Sequence, residues 1–350
     1  MPPLPLDQIR PVIESSLKVP LESAFLHFEP EPLGSASLAQ VHRARLHDGR
    51  QVAVKVQYPW LEAACASDLR ILGWILGRWA RRSRRHFDPA RLMTEFARGL
   101  ESELDFEHEA RTAGEIAHNL ENDQQIVVPK VVSSHTRKRI LTVEYLDAVR
   151  VDDLAALARL GIQPRSVLEP LARAYAKQIF VDGLFHADPH PGNLFVLDEP
   201  GAAARPRILF VDFGLSQRLS PELRRDLRAG LFALLQRKPA DFVEQMDRMG
   251  MLATGAREEV TRSIEAMFDR VARSGDGAGA LASSSGEILG LKDEAALLLE
   301  KTPGIQLPTE LLLYARTLST LFALADRIDP EVDMMKLSLP YLLRFLAERD

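Results

Sequence analysis

The stretch His186-Ala187-Asp188-Pro189-His190-Pro191-Gly192-Asn193 constrains this chain more than any other. Two prolines and a glycine in eight residues exclude a helix and a central strand, so this is a shaped loop. It carries an acid and, five residues on, an amide. Two short apolar runs follow, at residues 194–197 and 208–211, joined by a Gly- and Pro-containing linker over 198–206. The second run delivers a further acid in Val211-Asp212-Phe213-Gly214. A fold for this chain must present a loop Asp, a loop Asn and a strand-end Asp.

That set matches the needs of a phosphoryl-transfer site of the kinase type. Asp188 would orient an acceptor hydroxyl or water and take its proton. Asn193 would bind Mg²⁺ through its amide oxygen, and Asp212 would bridge Mg²⁺ to the β- and γ-phosphates. His186 would brace the loop. A rival reading takes His186, Asp188 and His190 as an H-x-D-x-H metal site, but it leaves Asn193, Asp212 and Lys55 unexplained.

Upstream, residues 41–46 and 51–57 flank His47-Asp48-Gly49-Arg50 and predict a β-hairpin. Val52, Val54 and Val56 share one face of its second strand, and Ala53, Lys55 and Gln57 the other. Val52-Ala53-Val54-Lys55 is a form of the strand motif that holds a lysine against nucleotide phosphates, with Ala53 leaving room for a flat base. A helical partner acid is sought in residues 101–110. Glu109 is the choice, with Glu103 and Asp105 available to a regulatory segment or to metal. By composition alone the same stretch also reads as a solvated acidic helix face.

The loop before the hairpin, Gly34-Ser35-Ala36-Ser37-Leu38-Ala39-Gln40, stands where an ordinary kinase has G-x-G-x-x-G. Its alanines narrow the backbone poses open to it. The expected nucleotide contacts are Gly34, Ser35, Ala36, Ser37, Gln40, Ala53, Lys55 and Glu144, with Asp188, Lys55 and Glu109 as catalytic residues and Asn193 and Asp212 on metal.

The 350 residues suffice for two lobes. A helix is expected over residues 7–26, mostly helix over 60–120 including 91–113, and strands over 127–132 and 139–145. Helices dominate from Asp152 onward, with a loop rich in Gly, Ser and Ala over 274–286. The expectation is an α+β, protein-kinase-like, two-lobed fold. The N-lobe, residues 1–146, is small, strand-containing and enlarged by inserted helices; the C-lobe, residues 147–350, is mainly helical. Together they make one kinase-like domain.

With 46% hydrophobic and 27% charged residues and a net charge of -5, composition is that of a globular protein without bulk nucleic-acid affinity. One cysteine, Cys65, excludes an intrachain disulfide and fits a reducing compartment. The first residues lack a signal-peptide pattern, and no apolar run reaches membrane-spanning length. Residues 71–80 are apolar and Trp-bearing and run into Arg81, Arg82, Arg84 and Arg85. A packed helix with a solvated basic tail is the favoured reading; a helix lying on an anionic membrane surface is the alternative.

Taken together, these motifs resemble the UbiB (AarF-like) family of atypical kinases over residues 5–333. The resemblance rests on the Ala-rich loop from Leu33 to His42, Val52-Ala53-Val54-Lys55-Val56-Gln57, Glu103-Leu104-Asp105 with Glu109-Ala110, the His186–Asn193 stretch and Asp212-Phe213-Gly214. It implies a kinase-like fold binding ATP or ADP with Mg²⁺, a Lys55–Glu109 ion pair, and an E-x-D motif at Glu103 and Asp105. It further implies a role in isoprenoid quinone biosynthesis such as that of ubiquinone, with a lipid or quinone precursor as partner. The expected location is cytoplasmic, with peripheral contact to the inner membrane. The family's N-terminal K-x-G-Q extension and C-terminal membrane helices are not found, which suggests a shortened member or a start placed too late. Two other functions fit the same residues: a nucleotide-sensing scaffold without turnover, and a small-molecule kinase of the aminoglycoside-phosphotransferase type.

Overall fold

In the computed structural model the valine stripe organises the first part of the chain. The structure describes residues 3–61, 64, 65, 70, 71, 73, 74, 104–274, 302 and 304–347. The chain divides into two compact units: Met1–Ala148 with Leu209–Leu215, and Val149–Ile208 with Ser216–Asp350.

The first unit is built on a four-stranded sheet of β1 (His27–Ser35), β2 (Ala39–Arg45), β3 (Gln51–Gln57) and β5 (Ile140–Glu144), in that order and antiparallel throughout. β4 is the short Ile126–Val127, and it lies beside β9 (Ile208–Phe210). The expected hairpin forms with Gly49 at φ 91°, a conformation that side-chain-bearing residues rarely adopt. Val52, Val54 and Val56 are fully buried and pack with Ile9, Val12 and Ile13 of α1 (Leu6–Leu17). Every second residue of β3 therefore faces one core, and Lys55 faces the other way. On that second face Ala39 and Leu141 pack with Phe106 of α3 (Phe106–Asn119).

Three local expectations shift, each for a backbone reason. The helix expected over residues 7–26 is two: α1 stops where Lys18 turns left-handed at φ 60°, and Pro20 caps a separate α2 (Leu21–Ala24). β1 was not foreseen, because Pro30 and Pro32 disguise it; as an edge strand it tolerates them, with register shifts on both sides of Pro32. The strand expected over 127–132 shrinks to β4 and a single bridge from Val131 to Val143, interrupted at Pro129. The expectations for residues 75–103, which include most of the basic helix at 71–85 and Glu103, lie outside the described residues, as does most of 274–286.

The second unit is mainly helical. α4 (Leu154–Arg159) is capped by Asp153, which accepts the Ala156 N–H at 2.9 Å. α5 (Pro164–Ala176) runs into a π-helical segment, Lys177–Asp182, which ends at Gly183 with φ 68°. β7 (Leu184–His186) then pairs antiparallel with β10 (Ser216–Arg218). β8 (Leu194–Leu197) lies beside β6 (Ala148–Arg150), and the 198–206 linker closes through Leu197 N–H to Arg207 O at 3.0 Å. The remaining helices are α6 (Pro221–Leu235), α7 (Pro239–Arg248), α8 (Arg257–Ser274), α9 (Thr309–Ile328) and α10 (Met334–Ala347). α9 and α10 pack on α5, whose Leu168, Leu171 and Tyr175 are buried; Val243, Met246, Val260 and Ile264 join α7 to α8.

The valine stripe sets the first unit's stability. Val54→Ala should lower unfolding free energy by about 2 kcal/mol, read as a fall in urea midpoint at unchanged slope.

Candidate functional site

Two clusters of the expected residues form, one in each unit. In the first unit Lys55 projects from the central strand β3 and donates to both Glu109 carboxylate oxygens at 3.0 Å and to Asp212 Oδ1 at 2.8 Å. Glu109 lies one turn into α3, whose N-cap, Asp105, accepts the Glu107 N–H at 2.9 Å. Glu109 Oε1 also accepts the backbone N–H of Phe213 at 3.2 Å. One carboxylate therefore ties strand β3 to the Asp212-Phe213-Gly214 segment. The Lys55 ammonium also lies 5.1 Å from the centre of the Phe106 ring, a cation–π contact.

Burial makes this cluster costly and specific. The Lys55 side chain is 16% exposed and that of Glu109 4%, against 37% for Asp212. Burial pulls the Lys55 pKa down, but Glu109 and then Asp212 more than offset it, so Lys55 moves up and stays charged. Burial pushes Glu109 up, and Lys55 holds back part of that rise. These directions pull against each other for one ion pair. The hydrogen bonds from Lys55 and Phe213 onto the carboxylate favour the ionised pair. Asp212 itself sits at φ 63°, a left-handed conformation that costs a non-glycine residue about 1–3 kcal/mol and is held here by its neighbours.

The hairpin tip between β1 and β2 carries exposed Gly34, Ser35, Ala36 and Ser37, and Ala36 N–H closes it onto Ala39 O at 2.8 Å. Ala53 lies on the Lys55 face, opposite Val143. Gln40 and Glu144 do not join them. Gln40 pairs with Val56 and Glu144 with Val52, so both side chains belong to the valine face. Gln40 is fully buried and its amide is committed: Oε1 accepts Leu4 N–H at 2.8 Å, and Nε2 donates to Leu4 O at 2.9 Å and to His42 Nε2 at 2.8 Å. His42 then donates from Nδ1 to Glu29 O at 2.8 Å, and burial lowers its pKa, keeping the ring neutral.

In the second unit the His186–Asn193 loop is wound on itself. His190 N–H bonds Asp188 O at 2.7 Å and Asn193 N–H bonds His190 O at 2.8 Å. Asn193 Nδ2 donates to Asp188 Oδ2 at 3.0 Å, which turns the amide oxygen away from that carboxylate. His186 is buried; its N–H bonds Gln178 Oε1 at 3.0 Å, and its Nδ1 lies 3.1 Å from Tyr175 Oη. Burial, and secondarily Asp188, raises Tyr175 well above the usual phenol range, so it stays a phenol able to donate. The H-x-D-x-H reading does not survive: His186 is spent on this brace, and exposed His190 accepts Gly192 N–H at 3.1 Å. Among the described residues no group of three or more His, Cys, Asp and Glu is placed to hold a metal.

Sequence reasoning missed what supports this loop from α9. Thr317 Oγ1 lies 3.0 Å from Ala187 O, and an Arg316 nitrogen 3.7 Å from Asp188 Oδ1. They are separated by about 130 residues, and no local pattern connects them. Gln178 and Tyr175 were equally hidden, because a π-helical turn intervenes.

Residues 1–246 match the ABC1 atypical kinase-like domain. The chain belongs to that family. Among its relatives is the probable protein kinase UbiB of Xylella fastidiosa strain 9a5c, 31% identical over 97% of this chain and 61% of that protein. The UbiB of Marinobacter nauticus is 29% identical over 100% and 62%. The chloroplastic Activity of bc1 complex kinase 8 of Arabidopsis thaliana is 28% identical over 100% and 49%. The chain thus spans about three-fifths or less of the length of these curated relatives. A solved structure, Rv3197 of Mycobacterium tuberculosis in complex with erythromycin, shares the fold with TM-score 0.65 at 23% identity, covering 99% of this chain and 85% of that one. The expected α+β kinase-like fold is therefore established. Within the family domain, Lys55, Glu109, Asp188, Asn193 and Asp212 all lie inside the matched residues, whereas α9, which supports the loop, lies beyond them. Among the described residues no helix is long and apolar enough to cross a membrane.

Glu109→Gln should destabilise the protein by about 3 kcal/mol in denaturant unfolding, because it leaves the buried Lys55 charge with Asp212 alone. A loss no larger than that of an exposed ion pair, about 0.5 kcal/mol, would contradict the burial argument.

Proposed function

We propose that this protein binds ATP with Mg²⁺ and transfers or releases its terminal phosphate, acting on a small or lipid-like acceptor in support of isoprenoid quinone biosynthesis. One observation carries the reading: Lys55, Glu109 and Asp212 converge in the first unit, with Lys55 bonded to both acids. A structural ion pair would need only one carboxylate. A lysine between a buried acid and a partly exposed one has a fixed support and a partner it can exchange.

In this reading Glu109 holds Lys55 so that its ammonium meets the α- and β-phosphates, and the exposed hairpin tip at Gly34, Ser35, Ala36 and Ser37 covers them. Ala53 leaves room for the base. Asp212 and Asn193 offer oxygen donors, the ligand type that Mg²⁺ prefers. Bound Mg²⁺ would neutralise charge on the phosphates. Asp188 orients the acceptor hydroxyl or water and accepts its proton. His186, Tyr175 and Gln178 position the loop from behind. Gln40 and Glu144, on the opposite face of the sheet, support the hairpin and do not contact the nucleotide through their side chains. Peripheral contact with a membrane belongs to the same proposal, since a lipid-like acceptor resides there.

A scaffold that senses nucleotide without turnover is the second reading, favoured by the direct Lys55–Asp212 bond at 2.8 Å, which ligand binding must exchange. Two variants separate them. Asp212→Asn should abolish Mg²⁺-dependent ATP binding in calorimetry; unchanged Mg²⁺–ATP affinity would sink the site assignment. Asp188→Asn should keep that affinity within a few-fold and lose phosphate release by about a hundredfold or more. Equal and negligible release from wild type and Asp188→Asn, with anionic liposomes and a quinone-like phenol present, would leave the scaffold.

A further inference from the structure

Helix α9 brings a charge to the Asp188 loop as well as support. Arg316 places a guanidinium nitrogen 3.7 Å from Asp188 Oδ1. As a stabilising ion pair this contact is poor. Charge-assisted N–H···O bonds close to about 2.7–2.9 Å. The Arg316 side chain is 59% exposed, a setting in which ion pairs contribute little. The same helix shows a structural arginine for contrast. Arg327 meets Asp152 at 3.0 Å, and that carboxylate, on a side chain 3% exposed, also takes Arg150 at 2.9 Å. Buried Thr317, with Oγ1 3.0 Å from Ala187 O, adds a second fastening. α9 is thus anchored without Arg316, and Arg316, next to Thr317 in the chain, is carried to Asp188 on a fixed mount.

The loop has a matching need. The stretch from His186 to Asn193 contains no Lys or Arg. Phosphoryl transfer brings a group with negative charge on its oxygens up to the Asp188 carboxylate. Like charges at such range repel, and a cation beside both offsets that repulsion. Asn193 Nδ2 bonds Asp188 Oδ2 at 3.0 Å, so Oδ1, the oxygen nearest Arg316, is the one open to an acceptor proton. The 3.7 Å separation keeps the cation beside that oxygen without a short hydrogen bond for an acceptor to displace.

We infer that Arg316 is a catalytic residue whose guanidinium takes the oxygens of the phosphoryl group in transfer, an arginine finger supplied from within the same chain. The inference rests on the phosphoryl-transfer reading above. In the step, the acceptor O–H gives its proton to Asp188 Oδ1 while its oxygen forms a bond to the γ-phosphorus. The bond from the γ-phosphorus to the β–γ bridging oxygen breaks, and its electron pair leaves with ADP. With water as acceptor the products are ADP and inorganic phosphate, and Asp188 returns its proton to solvent. A guanidinium fork matches phosphoryl oxygens in pairs. An arginine that meets them only during transfer raises kcat without tightening ATP binding. Arg316 lies beyond residues 1–246, so this contribution comes from outside the matched family domain.

The test uses the full chain as wild type, Arg316→Gln and Arg316→Lys. Three quantities are measured: phosphate release from Mg²⁺–ATP, affinity for Mg²⁺–ATP, and affinity for Mg²⁺–ADP with aluminium fluoride, a mimic of the phosphoryl group in transfer. Arg316→Gln should lower kcat about hundredfold and weaken the mimic by a similar factor. KM and Mg²⁺–ATP affinity should stay within a few-fold, at unchanged circular dichroism. Arg316→Lys keeps the charge but not the fork and should recover part of the loss. An unchanged kcat overturns the inference, as does a rise in KM at unchanged kcat, the mark of a ground-state contact. A fall in kcat with mimic binding intact also overturns it, since Arg316 would then act only through Asp188. Wild type that binds Mg²⁺–ATP and releases no phosphate overturns the inference while the nucleotide site stands. Wild type that does not bind Mg²⁺–ATP overturns the underlying reading together with it. Should Arg316→Gln fail to fold, Arg316→Lys is read by the same criterion, with an expected fall in kcat of about tenfold.

Discussion

The buried contact of Lys55 with Glu109 and Asp212 is the interaction on which the first unit's organisation depends. Two charges in a poorly solvated setting cost more than they return unless hydrogen bonds complete them. Here Phe213 N–H completes Glu109, the Phe106 ring flanks the ammonium, and Asp212 accepts its remaining bond. Each partner comes from a different stretch of chain: strand β3, helix α3 and the segment after β9. The cluster therefore demands that β3 lie centrally, that α3 start after its cap Asp105, and that the chain, having left this unit at Val149, return to it at Leu209. The left-handed Asp212 is a cost of that convergence, and the lysine holds it.

A different logic governs the second unit. Its loop is folded by its own backbone bonds and held by buried groups behind it. Gln178 and Tyr175 hold His186, and Thr317 holds Ala187. The half-buried Asp188 and Asn193 are thus mounted on a buried hydrogen-bonded network, with Arg316 approaching Asp188 at 3.7 Å.

The two faces of β3 separate structure from chemistry. Val52, Val54 and Val56 pack the sheet on α1, and Gln40, His42 and Glu144 lie on that same face, opposite Lys55. Alternation along the strand was enough to predict that Lys55 and Ala53 share a face. Applied across the sheet, it also excludes the side chains of Gln40 and Glu144, but only once the register is known, because a shift of one residue would reverse the conclusion.

From the sequence alone came the order of motifs, the hairpin with its Asp-Gly turn, the lysine face, the linker between residues 198 and 206, and the family. These rest on local rules: turn chemistry, strand alternation and fixed spacing within a loop. Tertiary structure decided what local rules cannot reach. It joined Lys55 to Asp212 across 157 residues, broke the first helix at Lys18 and Pro20, and admitted a proline-bearing edge strand. It brought α9 under the Asp188 loop. Each depends on which surfaces meet when the chain closes on itself, and on the burial that sets the worth of a charge or hydrogen bond. A single sequence does not display either.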